Sequence, residues 1–133
     1  MSAIHALLGF VGVTLVLVAG TFGYRGLRFL QGSPINAWKR GEKNEKDAEI
    51  AKRIADAHAN CIENLPVFAV LVLGAAALGK LPVIDGLAPY VLYARIGQAA
   101  AHLSGTGQPN VLVRATFWSA QLGLFVWMLV KLF

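Results

Sequence analysis

The sequence has few of the residues that a water-soluble or disulfide-linked domain requires. Only one of its 133 residues is a cysteine, Cys61, which excludes a disulfide framework and any metal site built from several thiolates. Charged residues make up 14% of the chain and hydrophobic residues 56%, whereas soluble domains average about 25% charged residues. A small soluble domain has too much surface for so few charges, and a disordered chain is poor in apolar residues. An integral membrane protein is the class that remains.

The apolar residues fall into four segments, which predict an all-α membrane protein with a single domain over residues 1–133. A helix rises about 1.5 Å per residue and crosses the hydrocarbon core with about 20 residues. The expected spans are residues 3–30, 48–79, 85–103 and 110–132. Together they predict a bundle of four transmembrane helices. The second segment is polar until Leu65, so this helix is expected to project from the bilayer.

Most of the positive charge is concentrated in and around one connector. Eight of the twelve Lys and Arg residues lie between Arg25 and Arg53. Because this basic stretch joins apolar segments, the positive-inside rule explains it better than nucleic-acid binding does. The loop at residues 31–47 is therefore expected to face the cytoplasm, with both termini on the opposite side. The short helices and the lack of a targeting extension favour a bacterial inner membrane.

Polar side chains form a stripe on three of the predicted helices. Drawn at about 100° per residue, the second helix places six of them within about 100° of one another: Glu49, Arg53, Asp56, Asn60, Glu63 and Asn64. The third helix carries Arg95, Gln98 and His102 on one face, and the fourth carries Arg114, Trp118 and Gln121. Polar groups at membrane depth are costly unless packed helices satisfy them. The stripes therefore predict a hydrophilic pocket near the basic end of the bundle.

The same polar residues also have purely structural interpretations that require no hydrophilic pocket. The stripe on the second helix is also compatible with a solvated face. Arg95 and Glu63 are a candidate structural ion pair, since buried charges are normally paired. Trp118 is equally typical of an interfacial anchor. Cys61 lies off the stripe and is expected to be a small packing residue.

The second helix also carries a sequence pattern that resembles a known family. Residues 60–68 read NCIENLPVF, and the order of Asn60, Glu63 and Pro66 resembles the second-helix signature of the MAPEG family. These are the membrane-associated proteins of eicosanoid and glutathione metabolism. Arg95 is similar to the family's third-helix arginine, and Arg114 to the arginine that opens its fourth helix. The resemblance covers nearly the whole chain.

The resemblance implies a homotrimer that binds glutathione between adjacent subunits near the cytoplasmic face. It implies that Arg114 is the catalytic residue, which stabilises the glutathione thiolate. It implies a glutathione-binding set with glutathione as cosubstrate: Arg53, Asn60, Glu63, Arg95, Gln98, His102 and Trp118. The remaining partners implied are membrane lipids and a hydrophobic small-molecule substrate, with no metal.

The implied role of Arg114 agrees with the chemistry of thiols. A free thiol has a pKa of about 8.5, and a neighbouring cation lowers it. The thiolate is the nucleophile, so a fixed arginine raises the reactive fraction at neutral pH. The expected activity is a membrane-embedded glutathione transferase or peroxidase that acts on hydrophobic electrophiles or lipid hydroperoxides.

Two departures from the family pattern support an alternative function. Asp56 stands where the family's enzymes carry an arginine one turn before the asparagine, and Trp118 or Phe117 stands where they carry a tyrosine. Tryptophan offers no hydroxyl group. The alternative is a non-catalytic member that acts as a lipid-binding or scaffold protein. A small multidrug transporter is disfavoured, because the first segment lacks the acidic residue that such transporters use.

Overall fold

The computed structural model describes all 133 residues and contains helices but no strands. Four long helices form the body of the molecule: α1 at Ala3–Leu30, α2 at Glu49–Ala77, α4 at Ala88–Ser104 and α5 at Gln108–Leu132. Between α2 and α4 lies the short helix α3 at Leu81–Ile84. The basic loop contains one 3₁₀ turn at Ile35–Ala37. The predicted all-helical class is therefore confirmed.

Three of the helices are long and apolar enough to cross a membrane, namely α1, α2 and α5. This finding agrees with the predicted membrane class. The helix α4 has 17 residues, and its polar residues Arg95, Gln98 and His102 are buried inside the molecule. It contacts α1, α2 and α5, so its polar face packs against the three other long helices, while Tyr90, Tyr93 and Ile96 on its other face are exposed.

Aromatic side chains fill the centre of the core. Phe68 on α2 lies between Phe10 on α1 and Phe125 on α5, with ring centroids 5.8 and 6.0 Å apart. Close approach of α4 and α5 depends on Gly97, where a Cβ atom would lie 2.5 Å from the Phe117 ring. This glycine lets the polar faces of α4 and α5 meet, which positions the candidate site.

The connection between α2 and α4 caps two helices at the end opposite the basic loop. The Asp85 carboxylate accepts a hydrogen bond from the Ala3 N–H at 2.7 Å, and the Lys80 ammonium donates to the Leu132 carbonyl at 2.6 Å. Helix ends leave backbone groups unsatisfied and carry partial charges. An acid at the start of α1 and a base at the end of α5 match those charges.

We expect Asp85→Ala to lower the free energy of unfolding by about 1 kcal/mol, the usual cost of losing a helix cap. Asp85→Asn keeps an acceptor oxygen and removes the charge, so its cost should be smaller. Denaturant unfolding in detergent micelles measures both. Equal stability of Asp85→Ala and the wild type would show that the cap contributes nothing.

Candidate functional site

A hydrogen-bonded network around Arg95 joins three helices in the middle of the bundle. The Arg95 guanidinium donates to Asn60 Oδ1 on α2 at 2.6 Å and to Gln121 Oε1 on α5 at 2.8 Å. The Gln121 amide donates in turn to Gln98 Oε1 at 2.8 Å and to the Phe117 carbonyl at 3.1 Å. Helical spacing puts Arg95 and Gln98 one turn apart on α4. One charged side chain is therefore held by neutral amides from its neighbours.

Arg95 has no acidic partner, although it is only 1% exposed. The candidate ion pair with Glu63 does not form, because Glu63 points to the outside of the bundle and is exposed. The Phe10 ring lies 4.9 Å from the guanidinium carbon and covers it, a contact that stabilises a cation. The Nε atom of Arg95 is buried without an acceptor. Two amide oxygens and the Phe10 ring therefore surround the Arg95 guanidinium, in place of the carboxylate that the ion-pair interpretation predicts.

A second polar pair lies nearer the basic end, where α4 ends and α5 begins. An Nη atom of Arg114 lies 3.1 Å from Nδ1 of His102. A guanidinium can only donate, so Nδ1 is the acceptor and the neutral imidazole carries its proton on Nε2. Arg114 makes no other side-chain hydrogen bond and no ion pair. Most of its donors therefore remain available to a ligand.

Three predicted site residues lie apart from both groups within this single chain. Glu63 is exposed, Trp118 is 39% exposed, and Arg53 is half-buried with its Nε atom lacking a partner. None of them bonds to Arg95 or Arg114 through its side chain. Glu63 lies just before the apolar part of α2, which begins at Leu65. The residues on the predicted stripes thus form an interior group and an outward-facing group.

Asp56 is paired with a residue of the basic loop. Its carboxylate lies 2.9 Å from the Lys43 ammonium. The pair is partly exposed, so its contribution to stability is small. The pair has an electrostatic consequence, because the Lys43 cation offsets the negative charge that Asp56 places on α2.

Two residues of the Arg95 network are absent from the predicted glutathione-binding set. Gln121 shares a helix face with Arg114, and its polarity in an apolar helix is the signal that identifies it. Phe10 offers no such signal, because an aromatic residue in an apolar segment is usually a packing residue. No cluster of three or more His, Cys, Asp or Glu side chains suited to a metal ion occurs in the chain.

Comparison of the whole chain with models of protein families identifies the same family as the second-helix signature. The model of the MAPEG family matches residues 3–133. The chain belongs to the MAPEG family. No curated protein and no solved structure matches the chain significantly.

Membership in the MAPEG family, together with the three apolar helices, establishes an integral membrane protein. It also places the chain in a family of eicosanoid and glutathione metabolism. The predicted resemblance is therefore confirmed for essentially the whole chain. Within this MAPEG protein, Arg114 is a half-buried cation that has no acidic partner and bonds only to His102.

Proposed function

We propose that the protein is a glutathione-dependent transferase or peroxidase that acts on hydrophobic electrophiles or lipid hydroperoxides within the membrane. The supporting observation is the environment of Arg114. Its guanidinium is oriented by His102 at 3.1 Å and has no carboxylate to neutralise it. An unneutralised cation at a polar helix interface stabilises a thiolate more than a thiol.

The chemistry follows from the thiolate. In conjugation, the glutathione sulfur forms a bond to an electrophilic carbon, and the leaving group departs with the bonding electron pair. In peroxide reduction, two glutathione thiols become one disulfide while a hydroperoxide becomes an alcohol and water. Arg114 is the catalytic residue in both reactions, and no protein nucleophile is needed.

The glutathione site is proposed to lie between subunits of a homotrimer. Glu63 on α2 is exposed and forms no hydrogen bond or ion pair with Arg114 within the single chain, so a neighbouring subunit would bring it, together with the half-buried Arg53, to the same ligand as Arg114. An exposed carboxylate beside an apolar stretch is costly in lipid, and a subunit interface removes that cost for Glu63. Asn60, Arg95, Gln98 and His102 would complete the site from the interior.

The orientation in the membrane follows from charge. We propose that α4 is the fourth membrane-spanning helix and that the basic loop at residues 31–47 faces the cytoplasm. Both termini then lie on the opposite side, and the bacterial inner membrane is the proposed location. Hydrophobic substrates would reach the site from the bilayer.

Glutathione should raise the thermal stability of the detergent-purified protein by several degrees at saturating millimolar concentration. A ligand that binds only the folded state stabilises it by about 2.7 kcal/mol at one hundred times its dissociation constant. The control ligand is S-methylglutathione, which keeps both carboxylates but has no ionisable thiol. A larger shift with glutathione supports thiolate recognition, whereas no shift with either ligand contradicts the proposal.

A non-catalytic lipid-binding or scaffold role is the second candidate, and one observation favours it. The Asn60 oxygen and the Gln98 oxygen are both occupied by hydrogen bonds inside the subunit. Polar residues that satisfy one another stabilise a fold without any ligand. This role predicts a folded oligomer that shows neither a glutathione-induced shift nor conjugation.

A further inference from the structure

A cavity of about 670 Å³ lies at the basic end of the bundle, between the basic loop and helices α1 and α2. Five Lys or Arg residues and three carboxylates contribute to its wall. None of the residues proposed for glutathione chemistry lines it. The cavity is therefore a feature distinct from the candidate active site.

The loop that covers the cavity is held in place by specific contacts. The Trp38 indole donates to the two carboxylate oxygens of Asp47 at 3.1 and 3.0 Å. The Tyr24 hydroxyl accepts a hydrogen bond from the Ala48 N–H at 2.9 Å. The Arg25 guanidinium carbon lies 5.9 Å from the centre of the Trp38 ring. These contacts attach the loop to the end of α1 and the start of α2.

The charge of the cavity is positive. Of its three carboxylates, Asp47 accepts the hydrogen bonds of the loop indole, Asp56 pairs with Lys43, and Glu42 is exposed without an ion pair, which leaves five cations against three carboxylates. Lys39 and Arg40 are exposed and form no ion pair. An anion entering the cavity therefore meets cations that the protein leaves unneutralised.

The cavity becomes apolar towards the centre of the bundle. Along α2, the polar residues Lys52, Asp56 and His58 are followed in its wall by the apolar residues Ala59 and Ile62. The apolar part of the helix begins at Leu65, one turn further on. A ligand with an anionic head and an apolar tail matches this gradient better than a small hydrophilic anion does.

We propose that this cavity binds the headgroup of an anionic phospholipid. The phosphate would lie near Arg25, Lys39 and Arg40, and the acyl chains would run past Ile62 along α1 and α2. Aromatic residues such as Trp38 and Tyr24 are typical of the headgroup region. Clustered cations at that depth recognise anionic lipids. This site is independent of the proposed glutathione chemistry.

The test is native mass spectrometry of the full-length protein in detergent, titrated with phosphatidylglycerol and with phosphatidylcholine of the same acyl chains. We expect tighter retention of phosphatidylglycerol. Each cation near a lipid phosphate contributes about 1 kcal/mol, so Arg40→Gln should weaken that retention about fivefold. The double variant Lys39→Gln/Arg40→Gln should weaken it further.

The matched control is Lys46→Gln, which removes the same charge from the same loop but lies outside the cavity wall. It should bind phosphatidylglycerol like the wild type. Glycerol phosphate, which has the headgroup chemistry without the tail, should compete poorly. Equal retention of the two lipids, equal loss in Lys46→Gln and Arg40→Gln, or efficient competition by glycerol phosphate would each overturn the proposal.

Discussion

Arg114→Ala should lower the rate of glutathione conjugation about a hundredfold or more while the protein remains folded. The loss of one preorganised group that stabilises developing or formed negative charge typically costs that much. The measurement is turnover of an aryl halide such as chlorodinitrobenzene, together with the thiolate absorbance of bound glutathione in the ultraviolet. Arg114 is half-buried and bonded only to His102, so its removal leaves the core packing intact.

Two control variants make the Arg114 result specific. Lys131→Ala removes a cation from the opposite end of the same helix and should retain full activity. Arg114→Lys keeps a positive charge but not the planar guanidinium, so its rate should fall between those of the wild type and Arg114→Ala. Conjugation by Arg114→Ala at the wild-type rate would exclude thiolate stabilisation by this residue. Inactivity of the wild type with every electrophile and hydroperoxide tested would favour the lipid-binding or scaffold role.

Gln121→Leu should destabilise the protein by about 3 kcal/mol, because it leaves the buried Arg95 charge with one acceptor fewer. The same change removes the donor that Gln98 uses. The measurement is denaturant unfolding in detergent micelles. Gln121 is fully buried in α5, and leucine is similar in size, so a cavity contributes little to the expected loss.

A double-mutant cycle separates the charge effect from simple repacking. Arg95→Met removes the charge, so the double variant Arg95→Met/Gln121→Leu should be more stable than Gln121→Leu alone. Replacement of a buried polar group together with its partner by apolar residues is often close to neutral. If the two single effects simply add, the residues do not act as a pair.

Helical spacing in the sequence predicts only some of the contacts that form the candidate site. Spacing along α4 places Arg95, Gln98 and His102 on one face, because residues three or four apart lie on one face, and all three side chains are buried. It does not reveal that Asn60 and Gln121 hold Arg95, since this depends on how three helices rotate against one another. The candidate pairing of Arg95 with Glu63 fails for that reason: Glu63 is 32 residues from Arg95 in the chain and lies on the outer side of α2.

The sequence by itself determined the membrane class, the helical fold and the family. The lengths of the apolar segments and the order of Asn60, Glu63 and Pro66 are local properties that need no knowledge of neighbouring helices. The tertiary structure alone decided the contacts of the charged groups. Arg95 lies in a cage of amides, Arg114 donates to His102, and Lys43 reaches Asp56 from the folded loop. Each of these contacts joins separate helices or a helix and the loop, so it exists only after the bundle has packed.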